Sequence, residues 1–177
     1  MARIRNLISE QEIAEAVKRL GAQISSDYQG REVTVLGILT GSVILVADLM
    51  RQISVPHQLG LIQASSYRGK ATTSGELNLN LEFVPDLKGR DVLLVDDIFD
   101  TGKTITRTSL ELESMGPKSI KTAVLLWKKV RSQVSAVPDY YCFEIPDRFV
   151  VGYGLDFDGQ YRHLPYLGVV EPESADE

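Results

Sequence analysis

Three observations on the sequence predict an α/β fold, a mostly parallel twisted sheet flanked by helices. Strand-like and helix-like segments alternate from residue 32 to residue 127, the pattern that builds parallel sheets with helices on their faces. The strand candidates "DVLLV" and "TAVLLW" are continuous apolar runs, as expected of strands covered on both sides. The chain has 177 residues, 44% of them hydrophobic and 24% charged, which gives one full core and too little material for two. Residues 1–177 are therefore read as a single domain with its core at about residues 30–130.

Each element has its own signal. Ser9 with Glu12 forms a capping-box pattern, and Ile13, Val17, Leu20 and Ile24 follow at helical spacing, so residues 9–28 read as an amphipathic helix. "EVTVLGIL" (32–39) is strand-like, "TGS" (40–42) is a turn, and "VILVADLMRQI" (43–53) reads as a helix apolar nearly all round and buried. "HQLGLIQASSY" (57–67) is the next strand, and "ELNLNLEF" (76–83) alternates as a half-exposed strand does. "DVLLV" (91–95) precedes a helix from Thr104 that ends at Gly116-Pro117. "SIKTAVLLW", "DYYCFEI", "FVVGYGLDF" and "YLGVVE" complete the strands.

Composition narrows the class. A net charge of -5 disfavours nucleic acid as a partner. The single cysteine, Cys142, excludes an intramolecular disulfide framework and reads as a small apolar residue. No window reaches the roughly 18 apolar residues of a membrane span, and the N-terminus has no signal-like apolar run, so a cytoplasmic location is expected. His57 and His163 stand far apart and read as structural.

Ligands of such sheets gather beyond the carboxyl ends of the strands. Four polar stretches fall there: "LTGS", "SSYRGKATTSG", "DDIFDTGKT" and the lysines at 128 and 129. "DTGKT" ends as an ATPase phosphate loop does, but that loop needs glycine five positions before Gly102, and position 97 is aspartate. Helix capping could account for one acid, not for Asp96, Asp97 and Asp100 together. The amides and hydroxyls of residues 101–104 suit a monophosphate, and two adjacent carboxylates suit vicinal sugar hydroxyls or a hydrated magnesium ion. A phosphorylated ribose presents both features.

"VLLVDDIFDTGKT" resembles the phosphoribosyl-diphosphate signature of type I phosphoribosyltransferases. "LTGS", "SSYRGKATTSG", "AVLLWKK", "FEIPDRFVVGYGLDF" and "YRHLPYLGV" extend the resemblance, in order, to the hypoxanthine-guanine phosphoribosyltransferase family. That resemblance implies the type I fold, with a small hood built from the N- and C-terminal segments and a flexible lid loop at residues 65–75. It implies that phosphoribosyl diphosphate and a 6-oxopurine are the substrates, that Mg2+ is the cofactor, and that the protein is a homodimer or homotetramer.

The resemblance also assigns roles. Asp96 and Asp97 would bind the ribose hydroxyls and metal, with Asp156 as a second metal ligand, and Asp100 would be the general base near purine N7. Thr101, Gly102, Lys103 and Thr104 would hold the 5′-phosphate. Thr40, Gly41 and Arg162 would meet the diphosphate, and Ser66 and Tyr67 would contact phosphoribosyl diphosphate from the lid. Lys128 would donate to the purine 6-oxo group, with Phe149 stacking on the base and Val150 and Asp156 lining its far edge; by pattern alone Phe149 reads as a core aromatic. Many relatives carry glutamate where this chain has Asp96 and lysine where it has Thr40, and a cis bond before position 40 is common among them. The competing expectations are an RNA-binding regulator of a pyrimidine operon with uracil phosphoribosyltransferase activity, which usually lacks the aspartate matching Asp100, and a xanthine-preferring transferase.

Overall fold

The computed structural model describes residues 3–66 and 77–171. Strands β2 (Val33–Leu39), β3 (His57–Ser66), β4 (Leu77–Phe83), β5 (Asp91–Phe99), β6 (Ser119–Trp127) and β7 (Tyr140–Glu144) form one sheet in the order β4-β3-β2-β5-β6-β7. Only β4 runs antiparallel to its neighbour.

Alternation along the strands supplies two cores. Val33, Val35, Leu93, Val95, Ala123 and Leu125 face one way, toward α1 (Glu10–Asp27) and α2 (Val43–Met50). Leu36, Ile38, Val92, Leu94 and Val124 face the other way, toward Ile105 and Leu112 of α3 (Lys103–Glu113). A period of two with both faces covered explains why these strands are apolar throughout. The α1 helix begins as its sequence predicts: the Ser9 side chain accepts from the Glu12 amide, and the Glu12 carboxylate accepts from the Ser9 amide at 2.8 Å.

A second sheet, in the order β1-β9-β8, joins Arg3–Ile8, Leu167–Glu171 and Val150–Val151. Strand β1 is missing from the sequence reading because its hydrogen-bond partners lie at the opposite end of the chain. The "FVVGYGLDF" strand is cut to Val150–Val151, since Gly152, Tyr153 and Gly154 all have positive φ (98°, 46° and 99°) and the ladder cannot continue through them.

Two further differences bear on the site. Strand β5 runs four residues past Val95 to Phe99, so the paired acids are strand residues, with Asp96 opposite Val124 of β6. Helix α2 is shorter than residues 43–53 and is not buried all round: Leu45, Val46 and Leu49 are buried in the core and Met50 packs against it, while Val43 and Ile44 are exposed. Cys142 is half-buried, and burial pushes its thiol up to about 12, in keeping with its reading as an unreactive residue.

The central strands carry the stability. Leu93 is fully buried at the middle of β5, and Leu93→Ala is expected to lower the unfolding free energy by about 3 kcal/mol. The exposed Leu110→Ala is expected to change it by less than about 0.5 kcal/mol. Urea unfolding of the two variants checks the contrast.

Candidate active site

The C-terminal ends of β2, β5 and β6 bring together three of the polar stretches that the sequence singles out. Asp96 is 7% exposed, and its Oδ1 accepts the Asp97 amide at 2.9 Å. Burial, then the neighbouring Asp97 charge, pushes the Asp96 carboxyl well above the ordinary carboxylate range. Burial also raises Asp97, an effect opposed by its hydrogen bond with Asp96 and by the Arg162 charge.

The chain packs so closely here that side chains are excluded. A Cβ on Gly41 would lie 1.7 Å from Asp97 Oδ2, and one on Gly154 would lie 2.2 Å from the Gly41 carbonyl oxygen. The diacid is thus backed by the turn after β2, and that turn by the loop after β8. Thr40 is exposed at the head of this turn, and the Leu39–Thr40 peptide is cis.

After Phe99 the chain makes the anion-cradle turn. Gly102 has φ 81°, and a Cβ there would strike Val134 at 2.4 Å and the Phe99 ring at 2.6 Å. Glycine alone can open α3 in this tight position. Asp96, Asp97, Asp100, Thr101, Gly102 and Thr104 line a cavity of about 250 Å3 at the N-terminus of α3, and Lys103 points outside its lining with an exposed side chain.

A second cavity of about 200 Å3 adjoins the first, and the two share Asp97, Ile98 and Asp100. Its other walls are Lys128, Phe149, Val150, Leu155 and Asp156. Every residue assigned to the purine is therefore on one cavity wall. Lys128 is 8% exposed, held by its amide donating to the Phe99 carbonyl at 2.9 Å, while its Nζ stands 3.6 Å from Asp147 Oδ1. Phe149 is not the core residue that pattern suggests: it is 53% exposed and meets Phe157 edge-on, centroids 5.4 Å apart. Ile98 and Leu155 also line this cavity, and Phe157 packs on Phe149; the signal for all three is their position inside the two motifs.

The expected metal trio is not one cluster, since the described residues hold no group of three such donors. The oxygens of Asp156 are taken by the Arg162 guanidinium at 2.8 Å and the Gly159 amide at 2.8 Å. Arg162 also donates to the Gly154 carbonyl at 2.6 Å, which ties it to the loop behind Gly41. Ser66 closes β3; Tyr67 and nearly all of the expected lid lie outside the described residues. A larger cavity, about 440 Å3 between α1, α2 and residues 153–165, is elsewhere; its Asp48 is already paired with Arg51 and accepts from Tyr153. It has neither paired acids nor an anion cradle, so the two smaller cavities are the better site.

A parallel sheet with a diacid and a phosphate-type cradle at its carboxyl edge defines a sugar-phosphate-binding α/β enzyme. Residues 4–158 match the phosphoribosyl transferase domain family. The chain is 42% identical over 167 residues to the hypoxanthine-guanine phosphoribosyltransferase of Streptococcus pneumoniae, covering 94% of this chain and 93% of that one. It is 39% identical over 166 residues to the hypoxanthine phosphoribosyltransferase of Escherichia coli, covering 93% of each. A crystal structure of a Bacillus anthracis hypoxanthine-guanine phosphoribosyltransferase with HEPES in its active site superimposes with a TM-score of 0.90, 36% identity, and coverage of 97% of this chain and 100% of that chain. This protein belongs to the phosphoribosyl transferase family.

The raised acids have a thermodynamic consequence. In the unfolded chain Asp96 ionises in the ordinary range near 4, while in the folded protein it holds its proton to higher pH, so its stability contribution is full at low pH and lost as pH rises through the folded value. Asp96→Asn removes that loss. In metal-free buffer the variant is expected to melt roughly a few degrees above wild type at pH 7 and together with it near pH 4, as read by calorimetry.

Proposed function

We infer that this protein is a purine salvage enzyme that converts hypoxanthine and guanine, with phosphoribosyl diphosphate, to their nucleoside monophosphates and diphosphate. The observation that carries the reading is the junction of the two cavities at Asp97–Asp100, with the diacid and cradle on one side and Lys128 and Phe149 on the other. The names of the relatives support the same chemistry. They do not favour the pyrimidine-operon regulator, and neither does the net charge of -5.

On this reading Asp96 and Asp97 accept hydrogen bonds from the ribose hydroxyls, and residues 101–104 hold the 5′-phosphate. Thr40 and Gly41 meet the diphosphate through backbone amides and Arg162 through its guanidinium, while Ser66 and Tyr67 contact phosphoribosyl diphosphate from the lid. Lys128 donates to the 6-oxo group, which adenine lacks, and thereby selects the base. Phe149 stacks on it, while backbone carbonyls near Val150 and Asp156 read ring position 2. As purine N9 bonds to C1′ and the C1′–diphosphate bond breaks, the N7 proton passes to Asp100, whose negative charge also favours the oxocarbenium-like sugar before transfer is complete.

Mg2+ fits the donor set. The two hard carboxylates of Asp96 and Asp97 beside a phosphate site match the usual magnesium arrangement of one or two protein carboxylates with substrate oxygens. The ion would supply charge neutralisation for the departing diphosphate. Asp156 serves it only if Arg162 turns away to the diphosphate, because its oxygens are otherwise taken.

The three-stranded sheet acts as the hood of a single domain. We also assign the protein to the cytoplasm as a homodimer or homotetramer; no helix among the described residues is long and apolar enough to cross a membrane, and Val43, Ile44, Leu59 and Phe83 expose apolar surface that a second subunit would cover.

With magnesium and phosphoribosyl diphosphate, hypoxanthine and guanine are expected to turn over, and adenine and uracil are not; xanthine is the comparison that measures selectivity at position 2. Asp100→Ala is expected to lower turnover by about 100-fold or more with little change in phosphoribosyl-diphosphate affinity. Turnover of uracil alone, or of Asp100→Ala at the wild-type rate, contradicts the reading.

A further inference from the structure

The two charged groups assigned to the purine are wired to each other through residues that have no assigned role. Asp100 Oδ1 accepts from Arg131 Nε at 2.8 Å. Arg131 Nη1 donates to Asp147 Oδ2 at 3.3 Å, and Asp147 Oδ1 lies 3.6 Å from Lys128 Nζ. The sequence builds this arrangement locally. The 3-10 turn Lys129–Arg131 after β6, closed by the Arg131 amide donating to the Lys128 carbonyl at 2.9 Å, swings Arg131 back over the end of β5. Asp147 follows Ile145-Pro146 at the exit of β7, the strand next to β6.

We propose that Arg131 is a positioning residue which, through its bridge to Asp147, aims Asp100 and Lys128 at the purine. This rests on the role given to Asp100 above. A carboxylate free to rotate presents either oxygen; with Oδ1 held by Arg131, Oδ2 is the atom left for the N7 proton. Lys128 is almost fully buried, and its only acidic partner among the described residues stands beyond hydrogen-bond distance, so Asp147 balances the cation while its N–H donors stay free for a 6-oxo group. Arginine suits the task because its planar fork can meet two carboxylates at once, which a lysine cannot do with the same geometry.

A purely structural ion pair is the competing explanation. Arg131 and Asp147 side chains are 42% and 49% exposed, and pairs so exposed contribute little to stability. Their removal should therefore leave the melting temperature unchanged and register in the chemistry alone.

The test is the single-turnover rate of nucleotide formation from hypoxanthine at saturating phosphoribosyl diphosphate and magnesium, with the dissociation constant for phosphoribosyl diphosphate measured in parallel. Arg131→Ala is expected to slow the chemical step about tenfold or more while that dissociation constant stays within about twofold. Arg131→Lys, which keeps the charge beside Asp100, is expected to recover part of the rate. In the Asp100→Ala background, adding Arg131→Ala is expected to cost less than it does in the wild type, because only the part that runs through Asp147 to Lys128 is left to lose. An unchanged rate in Arg131→Ala, or a loss that multiplies with that of Asp100→Ala, overturns the proposal while leaving the substrate assignment standing. If the wild-type protein itself turns over no purine, the assignment fails and the proposal with it.

Discussion

Two carboxylates side by side at the buried end of the central strand set the terms for the rest of the molecule. Water is mostly excluded from Asp96, and the charge of Asp97 lies next to it, so both groups are driven toward their protonated forms. Such a pair is held against its own preference by the packed strands on either side, β2 and β6, which fix the backbone of β5. On the proposed reading, a ribose with its metal ion, bringing hydroxyl donors and a divalent cation, would relieve the same tension.

The close approach of three chain segments follows from that constraint. The Gly41 turn lies directly against Asp97, and the loop at Gly154 lies directly against Gly41. Neither contact leaves room for a side chain, so the turn after β2, the diacid and the loop after β8 keep one spacing. On the other side of β5, the Lys128 amide bonds to the Phe99 carbonyl and the Gln133 amide to the Thr101 carbonyl at 2.9 Å, which ties the connection after β6 to the cradle turn. The diacid strand, the turn after it and the connection after β6 are thereby registered through backbone rather than through flexible side chains.

Much of this is legible in the sequence because its causes are local. The capping box of α1, the alternation of β4 and the apolar runs of β2, β5 and β6 are each decided by neighbouring residues, and each is found where expected. The parts that escape are decided at a distance. Strand β1 depends on pairing with β9, the length of β5 on register with β6, and the exposure of Phe149 on its place at the wall of a cavity built with residues from the ends of β5 and β6. Asp97, Asp100, Lys128, Phe149, Val150 and Asp156 could be named from their motifs, and they line one cavity of about 200 Å3 at the strand ends. That Asp156 is occupied by Arg162, or that Asp100 is linked to Lys128 through Arg131 and Asp147, is a matter of side-chain directions that no motif states.

The account depends most on the backbone of Gly41 holding Asp97 in place. Gly41→Ala introduces one methyl group whose position collides with that carboxylate, 1.7 Å from Oδ2. Calorimetric titration of this variant with phosphoribosyl diphosphate and magnesium, beside a melting curve, tests the point directly: binding is expected to weaken by about tenfold or more, roughly 1.4 kcal/mol, with the fold intact. Wild-type affinity in a folded Gly41→Ala protein would show that the diacid does not rely on this contact and would contradict the account.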